Sequence, residues 1–325
     1  LGRWYEEGVN VLRNNKDGGI AYFKIESTHC ESVLEALSSG IELERIKPVM
    51  EMYCRGLAGA EIKLAATTEL VEKNIGWVSN ESPTTEGSTV FVPTIVDRYK
   101  SKTENFYWLK VVSTHQVAHL EFGSFDFEFS RSSNLFKDLR AKLEEARKEN
   151  LSLLEKTVVE DTGEEESISA DDEMETGVER AWLTDMQRFF DLFEDRKLAL
   201  DIFTVVEDGR LDYIVKDEYP GIKIPYEKIQ HDSYANRPDI KELPAREAMV
   251  EFLLLLSLRP EENLYAPTKY EDQARQIASI SKTLLVTGTS VEDSSEATLR
   301  IYAVISSIPN EELDSEDWTD MDLED

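Results

Sequence analysis

The stretch YWLKVVSTHQVAHLEFGSFDF, residues 107–127, decides how this chain is read, because it holds two of only four histidines, four positions apart. Phe106, Leu109, Val112, Gln116 and then His119 or Leu120 recur at intervals of three or four, the spacing of one helix face, and Gly123 supplies a stop. The pattern predicts a helix over 103–123. On such a helix His115 and His119 project from one side, a turn apart. Two imidazoles so placed can share one tetrahedral zinc, the geometry behind the H-E-x-x-H motif. In that motif the glutamate takes a proton from water. Here its position holds Gln116, an amide that can orient a water but is no base at neutral pH. The spacing points to metal binding without the usual hydrolysis. The plain alternative is a pair of core histidines satisfied by hydrogen bonds.

A zinc site needs a third protein ligand. Glu121 lies six residues from His115, about 240° around the helix, and is poorly placed. A better source is Glu207-Asp208-Gly209-Arg210, within VVEDGRLDYIVKDEYPGI. Two carboxylates there interrupt an apolar helical run, and buried acids are costly unless paired or bound to a cation. Arg210 can pair with one acid and leave the other for a metal. The competing reading is a salt-bridged surface pair.

Outward from these two blocks the chain reads as mainly α with a small β-sheet (α+β). Residues 3–16 form a first helix that Gly18-Gly19 breaks, and helical periodicity continues through residue 60. Short alternating runs at 61–64, 76–78 and 89–93 read as strands around a turn-rich loop at 79–87. Further helices are expected over 133–154, 181–216, 244–258, 268–286 and 291–308, with Tyr219-Pro220-Gly221 as a terminator. The expected regions are an N-terminal helical array (1–58), a small sheet plus the H-Q-x-x-H helix (59–154), an acidic flexible linker (155–180), a helical part completing the site (181–308) and an acidic tail (309–325).

The net charge is −30, and it is concentrated. Residues 160–179 carry ten acids and residues 311–325 carry nine, with no Lys or Arg in either. This balance argues against direct binding to nucleic acid or anionic membranes and favours basic partners or solubility. Such like-charged blocks read as solvated linkers. Two cysteines make no disulfide framework. The longest apolar stretch, Phe252 to Leu258, is far shorter than the ~20 residues a membrane helix needs. No signal-peptide pattern opens the chain, so a cytoplasmic protein is expected. It begins at Leu1, which suggests a piece of a longer polypeptide.

HQVAHLEFGSF at 115–125 and VEDGRLDYIVKDEYPG at 206–221, with WYEEG at 4–8 and VEDSSEATLRIY at 291–302, resemble the N-terminal region of the NorD and CbbO type of von Willebrand factor A proteins. The resemblance implies a zincin-like helical domain with His115, His119 and Glu207 as ligands to Zn2+ or another divalent metal. It also implies a protein partner, a MoxR-type AAA+ ATPase. The family's client-binding domain carries a D-x-S-x-S metal site. Asp293-Ser294-Ser295 is too short to be one, so the chain corresponds to the N-terminal part, or to a member lacking the client-binding half. Peptidases with a distant glutamate ligand often carry an aspartate four residues later; position 211 is Leu, leaving Asp208 or Asp212 to substitute.

The combined expectation is a non-catalytic, metal-stabilised interaction domain, a pseudo-peptidase. Gln116, Asp208 and Arg210 support the ligands, and the metal pins the 103–123 helix to the 181–216 helix. Two rivals stand beside it. One is an active zinc metallohydrolase with Glu121 or Asp126 as displaced base. The other is a metal-free acidic helical scaffold for basic partners.

Overall fold

The computed structural model describes residues 2–59, 61–72, 84–149, 184–259, 264–313 and 318–321. These residues are mostly helical with small sheets. They divide into two units, Leu1–Val117 and Ala118–Asp325.

In the first unit, helices Gly2–Asn14 and Lys16–Phe23 pack closely. A Cβ on Gly19 would lie 2.3 Å from the Leu12 Cα, so only glycine admits this approach. Gly18-Gly19 therefore sits inside the second helix rather than breaking the first. The break falls at Asn15, whose side chain accepts from the Gly18 amide at 3.0 Å. Trp4 stacks on Tyr22 and donates its indole N–H to Cys30 Sγ at 3.2 Å, which ties in helix Thr28–Leu37. Helix Leu43–Ala58 follows the short strand Ile41–Glu42, which pairs antiparallel with Ile95–Val96. A three-stranded sheet has Thr89–Val92 at its centre, parallel to Lys63–Ala66 and antiparallel to Thr84–Glu86. That last strand occupies sequence expected to be loop. The strand expected at 76–78 lies outside the described residues.

Fully buried Asn105 fixes the start of helix Lys102–Glu121. Its side-chain oxygen accepts from the Arg98 and Tyr99 amides, and its NH2 donates to the Ser39 and Tyr99 carbonyls. Donors and acceptor are both used, which is what burial of an amide demands.

In the second unit, helix Arg196–Glu218 is the hub, packed on Val291–Ser306, Ala245–Leu258 and Pro220–Ala235. The helix expected over 181–216 is divided in two, Asp185–Phe190 and Arg196–Glu218. Asp195 caps the second piece by accepting from the Leu198 amide. Tyr219 ends that helix as expected, but Pro220 opens another. Proline at a first helical position gives up a donor that would be orphaned anyway.

The helix expected from residue 133 starts at 140. The residues before it are used elsewhere. Ser133 Oγ and the Asn134 and Leu135 amides donate to Asp293 Oδ1 at 2.6, 2.7 and 2.9 Å. The Leu139 amide and Arg140 Nε donate to Glu296 Oε1, both at 3.0 Å. Glu292, Asp293 and Glu296 are fully buried at the start of helix Val291–Ser306, where the helix dipole favours negative charge. Around them Phe127, Phe129, Phe189 and Phe193 form a satellite core.

The acidic block 160–179 lies outside the described residues. The described part of the 309–325 segment is held: Tyr270 Oη donates to Glu311 at 2.6 Å, and Trp318–Met321 pairs antiparallel with Leu264–Pro267. Among the described residues no helix is long and apolar enough to cross a membrane.

Candidate metal centre

Helix Lys102–Glu121 carries His115 and His119 on one continuous backbone, a turn apart as the spacing predicts. Gly123, with φ +71°, ends the helical run in the left-handed conformation that glycine tolerates. The turn it makes brings Ser124 back to His119, with Oγ 3.1 Å from Nδ1.

The other wall is helix Arg196–Glu218. Successive residues on a helix point about 100° apart, so Glu207 and Asp208 face different surroundings. Glu207, 2% exposed, meets Arg210 one turn on. Arg210 Nε donates to Oε2 at 2.8 Å and Nη2 donates to Oε1 at 2.5 Å. Ser124 Oγ also donates to Glu207 Oε1. Burial alone would push the Glu207 carboxyl up, but the hydrogen bonds and charge of Arg210 outweigh it and hold it below the usual range. Asp208 instead faces His119, with Oδ1 3.6 Å from Nε2.

One ring nitrogen each from His115 and His119 and one carboxylate oxygen of Asp208 all lie within 4.8 Å of one another. All three residues are half-buried. The carboxylate grouped with the two imidazoles is that of Asp208, where the resemblance implies Glu207. The expected ligand Glu207 is committed to Arg210 and Ser124. Asp208, expected as support, is the carboxylate beside the imidazoles. Arg210, besides pairing with Glu207, donates to the Thr289 and Phe122 carbonyls.

These contacts accommodate one neutral tautomer of His119. With the Ser124 hydroxyl hydrogen given to Glu207, the contact with His119 is made by the tautomer that carries its hydrogen on Nδ1. A neutral His119 ring then keeps its lone pair on Nε2, the atom facing Asp208. A carboxylate behind a histidine in this manner sets the tautomer a metal ligand needs. Ser124 was not identified from sequence. It sits in the FGSF block, but its role depends on the turn at Gly123.

Gln116 does not face open space. Its side-chain oxygen accepts from Thr85 Oγ1 at 2.9 Å, and so does its own carbonyl at 3.1 Å. The proposed water-orienting oxygen is therefore tied to the sheet of the first unit. The displaced bases fare no better. Glu121 accepts from the Tyr219 hydroxyl, and its carboxyl is raised, chiefly by burial. Asp126 is exposed in the turn after Gly123. Buried Asp212 accepts from Tyr226 Oη at 2.5 Å and Gln230 Nε2 at 2.8 Å, which spends it on a neighbouring helix. Leu211 is fully buried in the core.

No family model, curated protein or solved structure matches the chain.

Proposed function

We propose that this chain is a non-catalytic, zincin-like metal-binding domain whose ligands are His115, His119 and Asp208. Glu207, Arg210 and Ser124 hold the site in shape. The observation that carries the reading is the convergence of two imidazoles and one carboxylate within 4.8 Å. Two nitrogens and one oxygen form the donor set of three-ligand zinc sites, so the residues present fit the ion. When bound, the ion supplies a cross-link whose binding free energy adds to folding free energy.

The chain's own residues do the rest. His119 holds its proton at Nδ1 against Ser124, which leaves Nε2 to ligate. Glu207 accepts from Ser124 and Arg210 and keeps its charge inside the protein. Gln116 cannot accept a proton, and its oxygen is occupied by Thr85, which supports a silent rather than a hydrolytic site. By its resemblance to the von Willebrand factor A proteins, the domain serves as the adaptor part of an activation system driven by a MoxR-type AAA+ ATPase.

Metal analysis of protein purified without chelator tests this, beside His115→Ala and Asp208→Asn variants. Near-stoichiometric zinc in wild type, lost in both variants, supports the reading. Zinc retained in both variants, or none in wild type after zinc is restored, removes it. Peptide cleavage by the zinc-loaded wild type would favour the hydrolase instead.

A further inference from the structure

We propose that the strand Leu264–Pro267 is a β-addition site for acidic extended segments, filled in this structure by the chain's own residues 318–321. The two strands form a sheet of their own, in the register Leu264↔Met321, Tyr265↔Asp320, Ala266↔Thr319 and Pro267↔Trp318. The acceptor strand is built into the unit: Leu264 and Ala266 are buried in the main core with Met249, Phe252 and Leu253. The added strand is attached differently. Of its four residues only Met321 is fully buried, while Trp318 packs partly against the same core. Trp318 Nε1 is buried and has no hydrogen-bond partner among the described residues. Pro267, opposite Trp318, has no N–H to give the ladder. Besides the backbone ladder, one buried anchor and one imperfectly seated ring hold residues 318–321 against the cost of ordering them.

Charge identifies the occupant. Residues 311–325 hold nine acids and no base, in a chain of net charge −30. Two lysines lie beside the acceptor strand. Lys241 Nζ lies 3.7 Å over the Tyr265 ring, across from Asp320, and Lys269 Nζ is 2.5 Å from Glu311 Oε1. Arg246 Nε donates to the Ile308 carbonyl, and its backbone amide donates to the Asn310 side-chain oxygen. An extended segment with an aromatic, an apolar anchor three residues later and acids around both fits this edge. Backbone pairing supplies affinity, the Met321 position supplies specificity, and the lysines exclude basic segments. An intact chain answers such a ligand only when its own segment lifts, since a tethered competitor acts at high effective concentration.

The test uses the full chain and a fluorescein-labelled peptide of sequence EELDSEDWTDMDLED, read by anisotropy. Met321→Asp should evict the resident segment. The variant should then bind the peptide saturably, about tenfold or more tighter than wild type. Adding Lys241→Glu and Lys269→Glu to that variant should weaken binding about tenfold, and raised salt should weaken it as well. A folded Met321→Asp protein that ignores the peptide overturns the proposal, as does affinity unmoved by the lysine reversals. Hydrogen exchange on wild type decides the matter if Met321→Asp fails to fold. Amides of 318–321 should exchange through a local opening, faster than those of helix Ala245–Leu258. Exchange of both only by global unfolding would make the segment a permanent part of the core and end the proposal.

Discussion

Arg210 grips both oxygens of Glu207, at 2.8 and 2.5 Å, where neither residue is more than 2% exposed. The same guanidinium donates to the Thr289 and Phe122 carbonyls, so one side chain joins the centre of its own helix to two loops. Removing either partner strands a buried charge. Arg210→Ala and Glu207→Ala should each cost about 3–5 kcal/mol in urea unfolding. Arg210→Lys should recover little, because an ammonium cannot span two carboxylate oxygens and two carbonyls in one plane. Full recovery by lysine would mean that charge alone matters here.

In the proposed site the adjacent acids divide ligation from support. Asp208→Asn should lower zinc retention by tenfold or more, on the order of 1.4 kcal/mol, while leaving metal-free stability nearly unchanged. Ser124→Ala should lower zinc affinity about 10–100-fold, because the His119 tautomer loses its anchor. Competition with a chromophoric chelator reads both. If Glu207→Gln abolished binding while Asp208→Asn did not, the roles assigned to the two acids would be reversed.

The histidine helix and its stop were legible because periodicity, spacing and Gly123 are local signals. So was the conflict at Glu207-Asp208, two acids in an apolar run with one arginine nearby. Which acid went to Arg210 was not legible, since it follows from where each points on a helix packed against Thr289 and Phe122. The late start of the helix at 140 had a similar cause. Residues 133–139 have good helical pattern, but buried Asp293 and Glu296, 157–159 positions away, take their amides. The strand at Trp318–Met321 was hidden for a different reason. Nine acids read as a solvated tail, and the compensating lysines at 241 and 269 lie far off in sequence.

Cys54 gives a pH signature. It is fully buried on helix Leu43–Ala58, and burial, followed by the negative charge of Glu51, pushes its thiol up from 9.0 to about 12. The unfolded chain therefore releases this proton at a lower pH than the folded chain. Stability from this group is whole below pH 9 and falls as pH rises from there towards 12. Urea unfolding repeated between pH 8 and about 10 should show a downward slope that Cys54→Ala makes shallower. In the native state Cys54 should resist alkylation at pH 8, as a protonated buried thiol does. Rapid native-state labelling would contradict the burial.

Two glycines in helices of the first unit should respond oppositely to the same substitution. At Gly56, in helix Leu43–Ala58, an added Cβ meets nothing within 4 Å among the described residues. Gly56→Ala should stabilise by about 0.5–1 kcal/mol, from the helix preference for alanine and the lower entropy of the unfolded chain. At Gly19 the same methyl would sit 2.3 Å from the Leu12 Cα and 2.5 Å from its Cβ. Backbone cannot give way as a flexible side chain does, so helices Gly2–Asn14 and Lys16–Phe23 must part. That separation disturbs the stacking of Trp4 on Tyr22 and the Trp4–Cys30 hydrogen bond. Gly19→Ala should therefore lose about 1–3 kcal/mol despite the gain in propensity, with Trp4 fluorescence reporting the change. Equal effects at the two positions would mean that close approach at Gly19 does not set the packing of these helices.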